Sequence, residues 1–388
     1  MKPLFVFATL LDILAIAACV GLLVCYGWVI FRPDVHRLLP NLWAWFGGAV
    51  VLLSASSFLI LISRTLELSR APIADLMQFL PVVVEKTDFG RIWQVRILAL
   101  VVLWVAWYVG RLRMDRGLSV PVSAVMLAVI AFTRSTTGHA GDHGHFALAA
   151  WVDWLHVLSS GIWVGGIFVW AFIIFPMLLK CQHLNRSVAT DTFGRFSSVA
   201  ATGLTVIVLT GIYQAWEGLG KADALWQSAF GQILLVKLAL IVCLVYLGAY
   251  NRYTNLPTLD IWSGRKRAPH PFSRLPGFRM RNFPNMDDAG NLPLRYCART
   301  VTIQSALGAA IFIVSAILHH AMPPTDIRNL LPSMAVEAWK SGCEDSIPDF
   351  RAAPRTHRGV GKKRRPGYEP EKTESSGGQG VVSEPPGS

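Results

Sequence analysis

Histidines near the ends of long apolar runs are the residues of this sequence best suited to chemistry. His156 lies about two turns into one run, whereas His139 and the pair His319 and His320 each close another. Because successive runs cross a membrane in alternating directions, all four belong to one leaflet, and Asp12 lies at a similar depth. Imidazole binds copper, zinc and iron, and a carboxylate can complete such a site. We therefore predict a metal site formed by His156, His139, His319, His320 and Asp12.

Several neighbouring side chains could assist this site. His143 and His145 lie in an adjacent loop, where they either capture metal or are simply solvated, and the thioether of Met322 follows the last run. Asp153 precedes His156 by one turn of the same helix. It either accepts a hydrogen bond that orients the imidazole or is an N-terminal charge favoured by the helix dipole.

Two basic residues, Arg96 and Lys237, lie about a turn and a half into their runs. Each either extends its stem so that the charge reaches the headgroups, or faces the interior, where it pairs with Asp12 or repels cations. His156 also has an alternative, which is a hydrogen bond to Asp12 or Asp153 without metal. Ionisable groups at this depth are costly in a membrane and by default mark a functional site.

Composition predicts an all-α, polytopic membrane protein. Of the 388 residues, 53% are hydrophobic and 15% charged, whereas soluble proteins carry about a quarter charged residues. Runs of about 20 apolar residues suffice to cross a bilayer. Eight spans are predicted, at residues 4–30, 42–62, 91–110, 119–138, 150–176, 196–216, 230–250 and 300–320. The Pro-interrupted segment 63–90 is predicted to lie along the membrane interface.

The distribution of Lys and Arg predicts the orientation of these spans. Alternate loops are rich in both residues, above all the 251–299 loop, and the richer side of a membrane protein is cytoplasmic. The N-terminus and the 139–145 loop then face outward. The net charge of +12 is explained by these loops and does not indicate nucleic acid as a partner.

Glycines in the fifth predicted span indicate close contact with another helix. Gly161, Gly165 and Gly166 lie in the stretch GIWVGG, and small residues with such spacing let helix backbones approach each other. We predict that this helix packs against the first span and brings His156 near Asp12.

A weak internal repeat predicts two parallel four-helix halves. FGRIWQVRILAL at 89–100 aligns with FGQILLVKLALI at 230–241, so that Arg96 corresponds to Lys237. The first span then corresponds to the fifth. Transporters with parallel repeats bind their substrates at the interface between the repeats.

The composition changes near residue 325. Residues 1–325 form the predicted membrane domain, and residues 326–388 are rich in Pro, Gly, Ser and basic residues. Such a segment cannot bury enough apolar surface to fold alone, so the tail is predicted to be disordered.

Several motifs together resemble the copper resistance protein D (CopD) family of bacterial inner-membrane proteins. They are GHAGDHGH, DWLHVLSSGIWVGGI, FGRFS, LTGIYQAW, FGQILLVKLALI, LGAYNR and a last span closing in HHAMPP. The resemblance covers roughly residues 1–325 and is strongest over 138–252. It implies eight spans with an outward N-terminus and movement of copper from periplasm to cytoplasm, often beside a small periplasmic copper-binding partner of the CopC type. The sequence departs from the family at Gln304, where an acidic residue is common.

The expected function is therefore handling of copper ions in the bacterial inner membrane, without enzymatic activity. Any CopC-type partner would be a separate protein, and the other contacts are with lipid. No Walker A or GxGxxG motif is present, so energy would come from a gradient or a redox step. The alternative is a b-type cytochrome that exchanges electrons with quinone, because paired histidines at one membrane level also ligate haem. A third interpretation is a subunit that binds copper and hands it over without transporting it.

Overall fold

A computed structural model describes most of the membrane domain. The described residues are 2–30, 41–70, 72–113, 117–137, 147–180, 186–265, 290–321 and 323–325. The predicted tail, 326–388, lies outside them. So do four predicted site residues, which are His139, His143, His145 and Met322.

The described residues are helical and contain no strand. The α-helices are Lys2–Val24, Leu42–Ser69, Leu76–Lys86, Asp88–Arg113, Ser119–Thr136, Leu148–Ser160, Gly166–Val169, Phe175–Lys180, Arg186–Leu219, Ala224–Gln227, Ala229–Tyr250, Leu256–Trp262 and Leu292–His319. π-Helical turns at Cys25–Val29, Gly161–Gly165, Trp170–Ile174 and Asn251–Asn255 each continue the α-helix that precedes them, and a 3₁₀ turn covers Ile73–Asp75.

Eight of the resulting helices are long and apolar enough to cross a membrane. These spans are Pro3–Val29, Leu42–Ser69, Asp88–Leu112, Ser119–Thr136, Leu148–Lys180, Arg186–Leu219, Ala229–Trp262 and Leu292–His319. The prediction of an all-α protein with eight spans is therefore confirmed. We call the face at which the first span begins the N-terminal face; the fourth and eighth spans end there.

The last two spans extend beyond their predicted ends. The seventh span continues to Trp262 and the eighth begins at Leu292, so the predicted 251–299 loop is too long. The sequence indicated a loop because NRYTN is polar. In the structure this stretch is the π-helical turn Asn251–Asn255, whose first side chain bonds to the eighth span. Polar side chains are compatible with a membrane helix when a neighbouring helix satisfies them.

The predicted interfacial segment is shorter than 63–90. The second span itself continues to Ser69, and the third span begins at Asp88. Between them, the helix Leu76–Lys86 exposes large apolar side chains such as Met77 and Val82. An amphipathic helix of this kind is suited to the boundary between headgroups and acyl chains.

Glycine allows the first and fifth spans to touch through their backbones. A Cβ atom on Gly165 would lie 2.0 Å from the carbonyl oxygen of Ala17, and one on Gly21 would lie 2.3 Å from the carbonyl carbon of Gly165. Any side chain would prevent this contact, because real Cβ atoms do not approach backbone so closely. The predicted packing of the fifth span on the first is confirmed.

Local structure supports the internal repeat. The hydroxyl of Thr87 accepts a hydrogen bond of 3.0 Å from the backbone N–H of Gly90, and that of Ser228 accepts one of 2.9 Å from Gly231. These are equivalent positions at the start of the third span of each half. In both halves a hydroxyl three residues before the glycine satisfies a free N–H of the first helical turn.

Candidate functional site

Asp12 is the centre of a buried ion-pair cluster in the first half. Its side chain is fully buried, and its Oδ1 accepts hydrogen bonds from Ser56 Oγ, at 3.0 Å, and from Arg96 Nη2. Its Oδ2 accepts a longer one, of 3.3 Å, from Arg134 Nη1. Arg96 also donates through Nε to Ser57 Oγ at 2.8 Å. We call Asp12, Arg96 and Arg134, with these two serines, the Asp12 cluster.

The Asp12 cluster connects all four spans of the first half. Asp12 lies on the first span, the serines on the second, Arg96 on the third and Arg134 on the fourth. Removal of one buried partner from such a network strongly lowers the free energy of unfolding, because the remaining charge is left unpaired in a medium of low dielectric constant. The network therefore fixes the relative positions of the four helices at this level.

This arrangement decides between the alternatives for Arg96. The guanidinium faces the interior and pairs with Asp12, and does not extend to the headgroups. The predicted contact between His156 and Asp12 is not formed as a hydrogen bond, since both carboxylate oxygens point to the arginines. Arg134 and Ser56 also bond to Asp12, in addition to Arg96. No spacing in the sequence identifies these two residues as partners of Asp12.

His156 is held by a hydroxyl of the sixth span. Its Nδ1 lies 2.9 Å from Thr210 Oγ1. The one hydroxyl proton of Thr210 has two backbone acceptors within reach, the oxygens of Val206 at 2.7 Å and Ile207 at 3.2 Å. When that proton is directed to either backbone oxygen, Thr210 Oγ1 accepts from Nδ1–H, and Nε2 is then the unprotonated nitrogen of the neutral ring. A neutral imidazole with a lone pair on Nε2 is the form that ligates metals.

Other polar groups of the second half lie near His156. Asp153 Oδ1 accepts a hydrogen bond of 3.0 Å from Gln214 Nε2, so this contact orients the carboxylate toward the sixth span. Lys237, on the seventh span, is close enough to interact electrostatically with both His156 and Asp153. The second half thus repeats the pattern of the first, with an ionisable group on its first helix, a hydroxyl on the second and a basic residue on the third.

The histidine pair lies at the N-terminal face. His319 is the last residue of the eighth span, and His320 caps it. The Nε2 atom of His320 lies 3.0 Å from the hydroxyl of Thr9, which attaches the pair to the first span. The two imidazole rings are 5.4 Å apart, centroid to centroid.

The described residues do not bring three metal ligands together. Within them, no group of three or more His, Cys, Asp or Glu side chains is placed to hold a metal ion. They do place His156, His319 and His320 toward one face, with His156 eight residues, or about 12 Å of rise, beyond Leu148. The predicted ligand His139 lies outside the described residues.

A second polar cluster joins the last two spans toward the opposite face. Asn251 Nδ2 donates to Gln304 Oε1 at 2.6 Å, and Asn255 Nδ2 donates to Asn251 Oδ1 at 2.6 Å and to Thr300 Oγ1 at 3.2 Å. Gln304 also donates through Nε2 to the backbone oxygen of Leu244. The amide of Gln304 is therefore a link between helices, which neutral side chains provide at little cost in a membrane.

Replacement of Gln304 by leucine is expected to lower the free energy of unfolding by about 1–2 kcal/mol, because it leaves buried donors of the amide cluster unpaired. Denaturation in detergent would measure the change. Thr302→Val is the matched control, since that hydroxyl is exposed and bonds only within its own helix. Equal stability of the two variants would contradict this role of Gln304.

A polar cavity of about 500 Å³ opens at the opposite face, between the start of the sixth span and the end of the seventh. Arg265 Nη1 and Nη2 donate to the two carboxylate oxygens of Asp191 at 2.5 and 2.9 Å. These hydrogen bonds raise the pKa of Arg265 above its ordinary value. The ion pair of Arg265 with Asp191 therefore lies in the cavity wall, beside the exposed Arg195.

Comparison with known proteins identifies relatives among copper-handling proteins. The 30% identity to the copper transport protein CutJ of Bacillus subtilis (strain 168) extends over 169 residues, which are 43% of this chain and 30% of that protein. The 28% identity to copper resistance protein D of Pseudomonas syringae pv. tomato extends over 205 residues, or 50% of this chain and 60% of that protein. The chain thus spans less than two thirds of either relative. No solved structure matches the chain.

Two family models match successive parts of the chain. The N-terminal domain of copper resistance protein D-like proteins matches residues 1–148, and copper resistance protein D itself matches residues 190–318. Together they cover most of the membrane domain, and their order agrees with the two halves described above. The chain is therefore a multi-pass membrane protein that belongs to the copper resistance protein D family.

Proposed function

We propose that this protein moves copper ions inward across the bacterial inner membrane, with its N-terminal face in the periplasm. Family membership and the names of both relatives support copper as the substrate. The observation that carries the proposal is the position of the histidines. His156, His319 and His320, which are all the histidines among the described residues, lie toward one face of the protein.

The ion would be captured first at the histidine pair. His319 and His320 lie at the surface of the N-terminal face, and Met322 follows them two residues later in the sequence. From there copper would pass to Nε2 of His156, whose tautomer is set by Thr210. Asp12 is proposed to contribute through its charge and not as a ligand, because guanidinium groups occupy both of its oxygens.

The inward route would follow the contact between the two halves. The first and fifth spans approach there through Gly21 and Gly165, and binding at an interface between repeats is common in transporters. No nucleotide-binding motif is present, so a copper or proton gradient is proposed to drive the movement. A separate periplasmic copper-binding protein of the CopC type is the proposed donor.

Reconstitution of the purified protein tests this function. Liposomes that contain it are expected to accumulate copper, and the purified protein is expected to bind copper without showing a Soret band. A Soret band would identify the histidines as haem ligands and support the electron-transfer alternative. Copper binding without copper movement would instead support a protein that only hands the ion over.

A further inference from the structure

The Asp12 cluster lies one helical turn below the histidine pair. The hydroxyl of Thr9 contacts His320, and Asp12 is three residues further along the same helix. Residues three apart on a helix lie above one another on one face, here separated by about 4.5 Å of rise. A fixed charge in the cluster is therefore close to any ion held by His319 and His320.

The cluster has such a charge. Its one carboxylate and two guanidiniums sum to one net positive charge, and arginine does not lose its proton in proteins. Among the described residues, Asp12 is the sole carboxylate that forms an ion pair with Arg96 or Arg134. The positive charge is thus not cancelled by another ion pair.

Arg134 is the source of the excess charge. Asp12 and Arg96 already neutralise each other in close contact, whereas Arg134 adds one bond of 3.3 Å and has a side chain that is only 12% exposed. A second buried arginine is costly in a membrane, and such residues are usually retained for function. Its effect on a nearby cation is direct, since it repels that cation.

We propose that this net positive charge selects monovalent over divalent cations at the histidine pair, so that the substrate is copper(I). The proposal rests on the function proposed above. Repulsion grows with the charge of the ion. At a distance of about 10 Å and an effective dielectric constant of about 20, one unit charge weakens the binding of a monovalent ion roughly tenfold and of a divalent ion roughly a hundredfold.

A charge series tests the proposal. Arg134→Gln lowers the net charge of the cluster to zero, Asp12→Asn raises it to two, and the double variant restores one. Calorimetry on purified protein would measure binding of Ag⁺, a monovalent substitute for copper(I), and of Zn²⁺. The control is Arg64→Gln, the same substitution in an exposed ion pair with Glu67.

The affinity ratio of Ag⁺ to Zn²⁺ is expected to fall about tenfold in Arg134→Gln, to rise about tenfold in Asp12→Asn and to be unchanged in the double variant. A ratio that stays constant in folded Arg134→Gln protein would overturn the proposal. So would a double variant that loses binding of both ions, because the Asp12 carboxylate would then act as a ligand. If Asp12→Asn does not fold, the affinity ratios of Arg134→Gln and of the double variant test the proposal. Binding is measured without transport, so failure of the liposome experiment would leave this test intact.

Discussion

Replacement of His156 by alanine is expected to abolish copper movement into liposomes while the protein still inserts and folds. The variant loses the Nε2 lone pair, which is the proposed ligand atom of the inner position. The side chain is only partly buried and its hydrogen bonds are to Thr210 and the backbone of Ile207, so its loss should reduce stability by about 1–2 kcal/mol. Uptake per folded molecule is the measurement.

Two further variants serve as comparisons for His156→Ala. Thr210→Val keeps the imidazole but removes the acceptor that sets its tautomer, and loss of such an outer contact typically costs 10- to 100-fold. His183→Ala changes a histidine that the sequence places in a loop at the opposite face, so uptake should be unchanged. Normal copper uptake by folded His156→Ala protein would remove His156 from the route.

Replacement of Gly165 by alanine is expected to prevent the two halves from packing. The new methyl group would lie 2.0 Å from the backbone oxygen of Ala17, and neither helix has a flexible side chain there that could move instead. Overpacking of a tight core costs about 1–3 kcal/mol and occasionally more. Here we expect at least about 3 kcal/mol, because the clash is with backbone. The yield of folded protein and its thermal midpoint would report the loss.

Gly48→Ala is the matched control for this prediction. Gly48 lies on the second span, and a Cβ atom there would have no heavy atom within 4 Å beyond its own surroundings. Because alanine favours helix over glycine by about 1 kcal/mol, this variant should be as stable as the wild type or slightly more stable. Equal behaviour of the two alanine variants would show that the contact at Gly165 is not important for folding.

The local pattern of apolar residues in the sequence was sufficient to predict the eight-span architecture. Lengths and apolarity of the runs predicted eight spans, since the bilayer requires about 20 apolar residues whatever their neighbours. The glycines of the fifth span correctly predicted its contact with the first, because only small residues permit such an approach. The ends of spans were predicted less well, as the continuation to Trp262 shows. There, polar amides in the helix are satisfied by Gln304, a residue 53 positions away from Asn251.

The sequence by itself determined that His156, His319, His320 and Asp12 occupy one leaflet, because alternation of the spans sets the level of every residue. It could not determine which of them meet. Side chains at one level can face any of several helices, and rotation of each helix depends on packing across the whole bundle. Only the tertiary structure therefore paired Asp12 with two arginines, and only it placed His156 against Thr210. The charged side chains of the Asp12 cluster are therefore different residues from the proposed copper ligands His156, His319 and His320.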